Sequence, residues 1–204
     1  MITDKDRSGY FGGSEASRVV GKWTSDTFKN WWMVKLGFYK GEGFETKAMR
    51  MGNWYEHAIL EAWDSGISQD EQIILEDIKL RVNYDGINGT HIYEVKTSQD
   101  FKLTAAYKAQ AQVEMYALRQ RSGDASLSFL VYPIGEQEKL NYFTPIDREK
   151  ITEIPIEYDE EFIKEFLENL KILNKCLAEG RMPHEDERPN RDKPRSTGKG
   201  KGKG

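Results

Sequence analysis

A chain of 204 residues is long enough for one domain and too short for two comfortable ones. Hydrophobic residues at 38% can fill a core, while 31% charged residues and a mean hydropathy of -0.73 argue against a membrane-spanning protein; no apolar run approaches the roughly 20 residues of a span. The single cysteine, Cys176, excludes a disulfide framework or a zinc or iron–sulfur cluster built within one chain.

The formal charge of -4 argues against a polyanionic partner until its distribution is considered. Residues 188–204 hold seven Lys and Arg against Asp192 alone, a net +6, which leaves -10 on the preceding 187 residues. This stretch has almost no apolar residues, so the expectation is one folded domain over 1–187 followed by a disordered basic tail over 188–204. The tail reads either as an electrostatic arm on a phosphate backbone or as a solubilising extension. Met-Ile-Thr-Asp-Lys-Asp-Arg at the start lacks an apolar signal region, and a cytoplasmic location is expected.

In chain order, the apolar spacing predicts helices over 14–20, 25–36 and 46–64, then strands near 71–76, 78–84 and 91–97. A helix over 104–121, strands near 126–132 and 138–145, and a helix over 160–179 follow. Arg7–Ser17 is a glycine-containing loop running into the first helix, whose start offers free N–H groups to an anion. Trp31 and Trp32 are adjacent and cannot both face one core; core packing with partial exposure is expected, against stacking on a base or a subunit contact.

The third helix carries an apolar stripe of Met51, Trp54/Tyr55, Ala58/Ile59 and Ala62/Trp63, with Glu56 off its centre. Thr104 and Asp159 are N-cap candidates, and Gly37 and Gly180 are helix stops. Phe162, Phe166, Leu170 and Leu173/Leu177 form a structural stripe on the last helix, with Cys176 in its apolar phase. The order implies an α/β (α+β) fold, αβββαβ, with a central mixed sheet flanked by helices.

Chemistry concentrates in LRVNYDGINGTHIYEVKTS. Strands Ile78–Tyr84 and His91–Thr97 flank Asp85-Gly86-Ile87-Asn88-Gly89, which has the composition of a hairpin turn and would return Asp85 to the side of Glu94. Glu94 and Lys96 then share a face, while Val95 points the other way and leaves its carbonyl near the two acids. Two carboxylates, a carbonyl and one cation suit Mg²⁺ and phosphodiester hydrolysis, with the lysine orienting water or steadying developing charge. Asp-Gly is equally a common turn pair and Glu-x-Lys an ordinary solvated face, so the surrounding motifs decide. His57, His91 and His184 are scattered, and none is assigned to metal.

Those motifs are Gly12-Gly13-Ser14-Glu15-Ala16-Ser17, Met49-x-x-Gly52-x-x-x-Glu56, Asp85-Gly86, Glu94-Val95-Lys96 and Tyr107-x-x-Gln110-x-Gln112. In this order, over about residues 7–116, they resemble the YqaJ-type viral recombinases, the lambda exonuclease family of the PD-(D/E)XK nucleases with their restriction-endonuclease-like core. The resemblance implies that Glu56, Asp85 and Glu94 are metal-binding acids, Glu56 acting through water. It makes Lys96 the catalytic lysine and Gln110 its neighbour in the site. Arg7 and Ser14, with Tyr107, would hold the terminal 5′-phosphate and DNA.

It further implies one or two Mg²⁺ ions, replaceable by Mn²⁺, and 5′-to-3′ degradation of duplex DNA from free ends. A 3′ single strand would be left for an annealing protein in recombination. A homo-oligomer, trimeric in the family, and a phage gene expressed in the bacterial cytoplasm are part of the same expectation. The chain departs from the pattern at Asn83-Tyr84 before Asp85-Gly86, at Thr97-Ser98 after Lys96, and in the short link Ser98–Leu103. Other readings of the same residues are an endonuclease with this metal site and a non-catalytic DNA-binding protein. A two-carboxylate glycosidase is the third, and it leaves Lys96 and the basic tail unexplained.

Overall fold

The computed structural model describes residues 9–38, 47–135 and 144–189. Arg7, most of the strand expected near 138–145, and the tail beyond residue 189 lie outside them.

Strand β1 (Phe11–Gly12) leads through a 3-10 turn (Gly13–Glu15) into α1 (Ala16–Val19) and α2 (Asp26–Lys35). Helix α3 (Lys47–Trp63) precedes β2 (Ser68–Leu75), β3 (Leu80–Asn88) and β4 (His91–Thr97). Helix α4 (Ala105–Ser122), β5 (Ser126–Tyr132), β6 (Thr152–Ile156) and α5 (Glu160–Ala178) complete the order. Elements α3 to β5 give the expected αβββαβ core. The side chains of Ser25, Thr104 and Asp159 accept from Phe28, Tyr107 and Phe162 N–H, capping α2, α4 and α5.

Six strands form one mixed sheet: β3 pairs antiparallel with β2 and β4, β4 pairs parallel with β5, and β5 pairs antiparallel with β6. Alternation along the strands feeds two cores. On one face Tyr55, Ile59 and Leu60 of α3 meet Val95, Leu130 and Tyr132. On the other, α1, α2, α4 and α5 cover Val82, Ile92, Leu127 and Phe129.

Several expectations are corrected. The first helix is a 3-10 turn followed by only four α-helical residues, and the Gly12 N–H is given to Glu15. Trp54 is 50% exposed and lies off the α3 stripe, while Tyr55 is buried. Trp31 and Trp32 both join one aromatic cluster with Phe28, at ring distances of 5.3 and 5.8 Å. Trp32 is fully buried, and Trp31, partly buried, gives its Nε1–H to Glu15, which is the expected core packing with partial exposure. Strand β6 was not expected: Pro155 lowers its strand signal, and as a sheet-edge strand it tolerates a residue without an N–H.

The hairpin turn is shorter than the sequence implies and lies at the end of the expected stretch. Asn88 pairs with His91, so Gly89-Thr90 is the turn, with Gly89 at φ +62°. Asp85-Gly86 is strand. Gly86 is required by packing, since a Cβ there would lie 2.5 Å from Ile67 Cγ2 and 2.9 Å from Leu60 Cδ2. Gly86→Ala is therefore expected to destabilise the fold by about 1–3 kcal/mol, read as a fall in chemical-denaturation midpoint.

Candidate active site

Strand β3 is where the sheet divides. β2 runs along one side of it from Leu80 to Ile87. β1 and β4 therefore share the other side, β1 at Leu80 and Arg81, β4 from Gly86 to Asn88. Residues 82–85 line the fork between them, and Asp85 stands just before the β4 ladder begins. Face alternation slips at this point, for Val82, Tyr84 and Ile87 all face the α4 core while Gly86 faces Leu60. Opposite Asp85, Asp70 adopts φ +58°, a left-handed conformation that Asp tolerates better than most residues.

Freed from the ladder, Asp85 takes the Val95 N–H with its carboxylate, Oδ2 at 2.9 Å, which ties β3 to the Glu94–Lys96 stretch of β4. Glu94 and Lys96 share a face as expected, with Nζ 3.1 Å from Glu94 Oε2. Val95 points into the α3 core. From α4, Gln110 Nε2 donates to Glu94 Oε2 at 3.1 Å and to Glu114 Oε1 at 2.7 Å. Gln112 points elsewhere: its amide bridges Glu157 O and Asp159 N, fastening α4 to the start of α5. Tyr107 is half-buried, its ring 5.4 Å from Lys96 Nζ and stacked on Phe101.

Glu114 is a residue that the sequence reading missed. It is 1% exposed, and its Oε2 has no hydrogen-bond partner among the described residues. The available signal was its spacing from Gln110, four residues along a helix whose positions 111 to 115 are all buried. Gly13 makes room for it, since a Cβ there would lie 3.3 Å from Glu114 Oε1.

Electrostatics follow from four acids gathered round one ammonium. Burial, then Asp85 and Glu94, pushes Glu56 up to about 8. Burial, then Asp85, pushes Glu94 up to about 8. Burial raises Asp85, and burial followed by Glu94 raises Glu114 well above the usual carboxylate range. Burial alone would lower Lys96, but Glu94 and then Asp85 outweigh it and hold the lysine above its ordinary value. The surplus of hard oxygen donors over cations, with one of them unpartnered, is a donor set that fits a divalent cation.

His57 was not expected in this neighbourhood. One ligand atom each from Glu56, His57 and Asp70 lie within 4.8 Å of one another, the latter two exposed. Ser14 is exposed on the 3-10 turn and lines a cavity of about 330 Å³ that also touches Gln110 and Glu114. Arg188, counted with the basic tail, belongs to the folded body: it is 9% exposed, and its Nε lies 2.6 Å from Glu185 Oε1. Glu185 is itself fixed by the Trp23 N–H. No helix among the described residues is long and apolar enough to cross a membrane.

No protein-family profile and no curated protein matches the chain. Solved structures do. An alkaline exonuclease, LHK-Exo, from Laribacter hongkongensis superposes with a TM-score of 0.64 at 16% identity, over 86% of this chain and 92% of that one. The same exonuclease in complex with dAMP matches with a TM-score of 0.64 at 18% identity, over 86% and 91%. A phage-related exonuclease from Haemophilus somnus matches with a TM-score of 0.58 at 19% identity, over 83% and 94%. At these identities the likeness carries the fold.

Proposed function

We propose that this chain, which has the fold of the alkaline and phage-related exonucleases, is a divalent-metal-dependent DNA exonuclease of the lambda exonuclease type. It degrades duplex DNA from its ends, 5′ to 3′, and leaves 3′ single strands for recombination by annealing. The carrying observation is the meeting of Asp85, Glu94, Lys96 and Gln110 at the fork of β3 and β4. Asp85 and Glu94, with the Val95 carbonyl and Glu56 through water, would hold Mg²⁺ or Mn²⁺. Such an ion, when bound, lowers the pKa of water and offsets charge on the phosphate.

The protein's own groups do the rest. Lys96, protonated and anchored to Glu94, places a donor where the attacking water or the developing charge on phosphate needs one. Gln110 is held with both amide hydrogens toward carboxylates, which turns its oxygen away from them, free to accept from water. Arg7 and Ser14 would take the terminal 5′-phosphate, and an exonuclease neighbour that holds dAMP supports a nucleotide as ligand. Homo-oligomerisation and hand-over to an annealing protein belong to the same reading.

End-labelled linear duplex and closed-circular duplex test it together. Loss of the 5′ label first, with the circle intact, is expected. Nicking of the circle would favour the endonuclease reading, and retention of both substrates a DNA-binding protein without catalysis. Gln110→Ala should lower single-turnover cleavage about 10- to 100-fold with an unchanged melting temperature. Gln112→Ala should lower the melting temperature and leave cleavage by the folded fraction near normal, because its bonds are to the α5 turn.

A further inference from the structure

The surroundings of Lys96 are aromatic as well as acidic. Its ammonium stands 5.4 Å from the centre of the Tyr107 ring and 5.7 Å from that of Phe129, both within reach of a cation–π contact. A third ring, Phe101, closes the group: its centre lies 5.6 Å from Tyr107, stacked at 21°, and 6.1 Å from Phe129. Tyr107 and Phe129 are themselves 5.9 Å apart.

Three separate stretches deliver these rings. Phe129 is the β5 partner of Glu94 in the parallel ladder, so it stands on the α4 side of the sheet beside the acid that Lys96 reaches. Phe101 comes from the short link after β4, where the Ser98 N–H is given to Tyr132 O and Ser98 Oγ takes the Asp100 N–H, and beyond this turn Phe101 packs on Phe129. Thr104 then caps α4 through the Tyr107 N–H, which sets Tyr107 in the first helical turn, half-buried against Phe101.

An ammonium has three N–H groups, and Glu94 Oε2 takes one at 3.1 Å. A further carboxylate would occupy another, whereas a ring face attracts the charge and occupies none. The rings therefore hold the ammonium in place while donors remain for water or a phosphate oxygen.

We infer that Tyr107 and Phe129 form an aromatic seat that positions the Lys96 ammonium in the acidic centre, with Phe101 backing the Tyr107 ring. The inference rests on the nuclease reading for what Lys96 does there. Tyr107 acts through the lysine, as a positioning residue, and not by gripping DNA, the part that the family motif implies for it.

Tyr107→Phe keeps the ring, and Tyr107→Leu replaces it with an alkyl group. Single-turnover cleavage at saturating enzyme should stay within about twofold in the first and fall about tenfold or more in the second, with duplex affinity in EDTA unchanged in both. Weaker affinity with an unchanged saturated rate would assign Tyr107 to DNA and overturn the seat. Phenylalanines bearing one, two and five ring fluorines at position 107 separate charge from packing, because fluorine drains the negative ring face and alters its shape little. Cleavage should slow in that order at a near-constant melting temperature, and a rate indifferent to fluorination would overturn the seat. Should Tyr107→Leu fail to fold, the fluorinated series decides alone.

A readout free of catalysis distinguishes this inference from the nuclease reading. In ¹H–¹⁵N spectra, loss of the ring current in Tyr107→Leu should move the Lys96 ammonium protons downfield, and Tyr107→Phe should leave them in place; Lys96→Arg identifies the signal. That shift in a protein that cuts no DNA would sink the nuclease reading and leave the seat standing. An unmoved signal, with normal cleavage by Tyr107→Leu, would do the reverse.

Discussion

Asp85→Asn and Glu94→Gln are each expected to reduce single-turnover DNA cleavage by about three orders of magnitude or more, while duplex binding in EDTA is kept or strengthened. Both substitutions preserve shape and remove charge. In the first, the new amide oxygen can still face the Val95 N–H, and in the second the new amide oxygen can still meet Lys96. What disappears is the anionic oxygen that a divalent cation requires, together with the repulsion that an acid exerts on an approaching phosphate. Single-turnover rates and fluorescence anisotropy on the same preparations separate the two effects. Rates within tenfold of the unmodified chain would remove these acids from the catalytic site.

Mg²⁺ is expected to raise the melting temperature more at about pH 8.5 than at about pH 6, and the metal-free protein to lose stability over the same interval. The sign follows from carboxyls whose folded values are raised. Glu56 and Glu94 ionise near 4.5 when unfolded and at about 8 when folded. Below the lower value both states are protonated and nothing is lost. Between the two values the folded state binds more protons than the unfolded one, so stability falls as pH rises, and above about 8 the loss is complete. A cation that prefers the ionised acids reverses this loss most where it is largest. For a few kcal/mol the metal-dependent difference is on the order of 10 °C. Thermal melts with Mg²⁺ or EDTA across the range check it, and equal shifts at both ends would place the ion elsewhere.

The acids on β3 and β4 and their lysine were legible because strand alternation and short sequence separation dictate who shares a face. Glu94 and Lys96 needed only period two. Asp85 reached its place by a different route from the one expected: the turn is Gly89-Thr90, and a slip in alternation at Asp85-Gly86 brings the acid to Val95. That slip depends on Leu60 and Ile67 pressing against Gly86 from a distant element, which local pattern does not reveal. Glu114 was invisible for the same reason. It looks like a solvated charge in sequence, and only the covering of α4 on several sides buries it.

The most direct measurement is the release of 5′ label from linear duplex DNA by the unmodified chain, with Mg²⁺ supplied and then removed by EDTA. The acid centre at Asp85 and Glu94 predicts steady release that stops on chelation, resumes when Mg²⁺ is restored in excess, and is absent from Glu94→Gln throughout. Continued release in EDTA, or release by Glu94→Gln at the normal rate, would contradict a metal-dependent exonuclease centred on these residues.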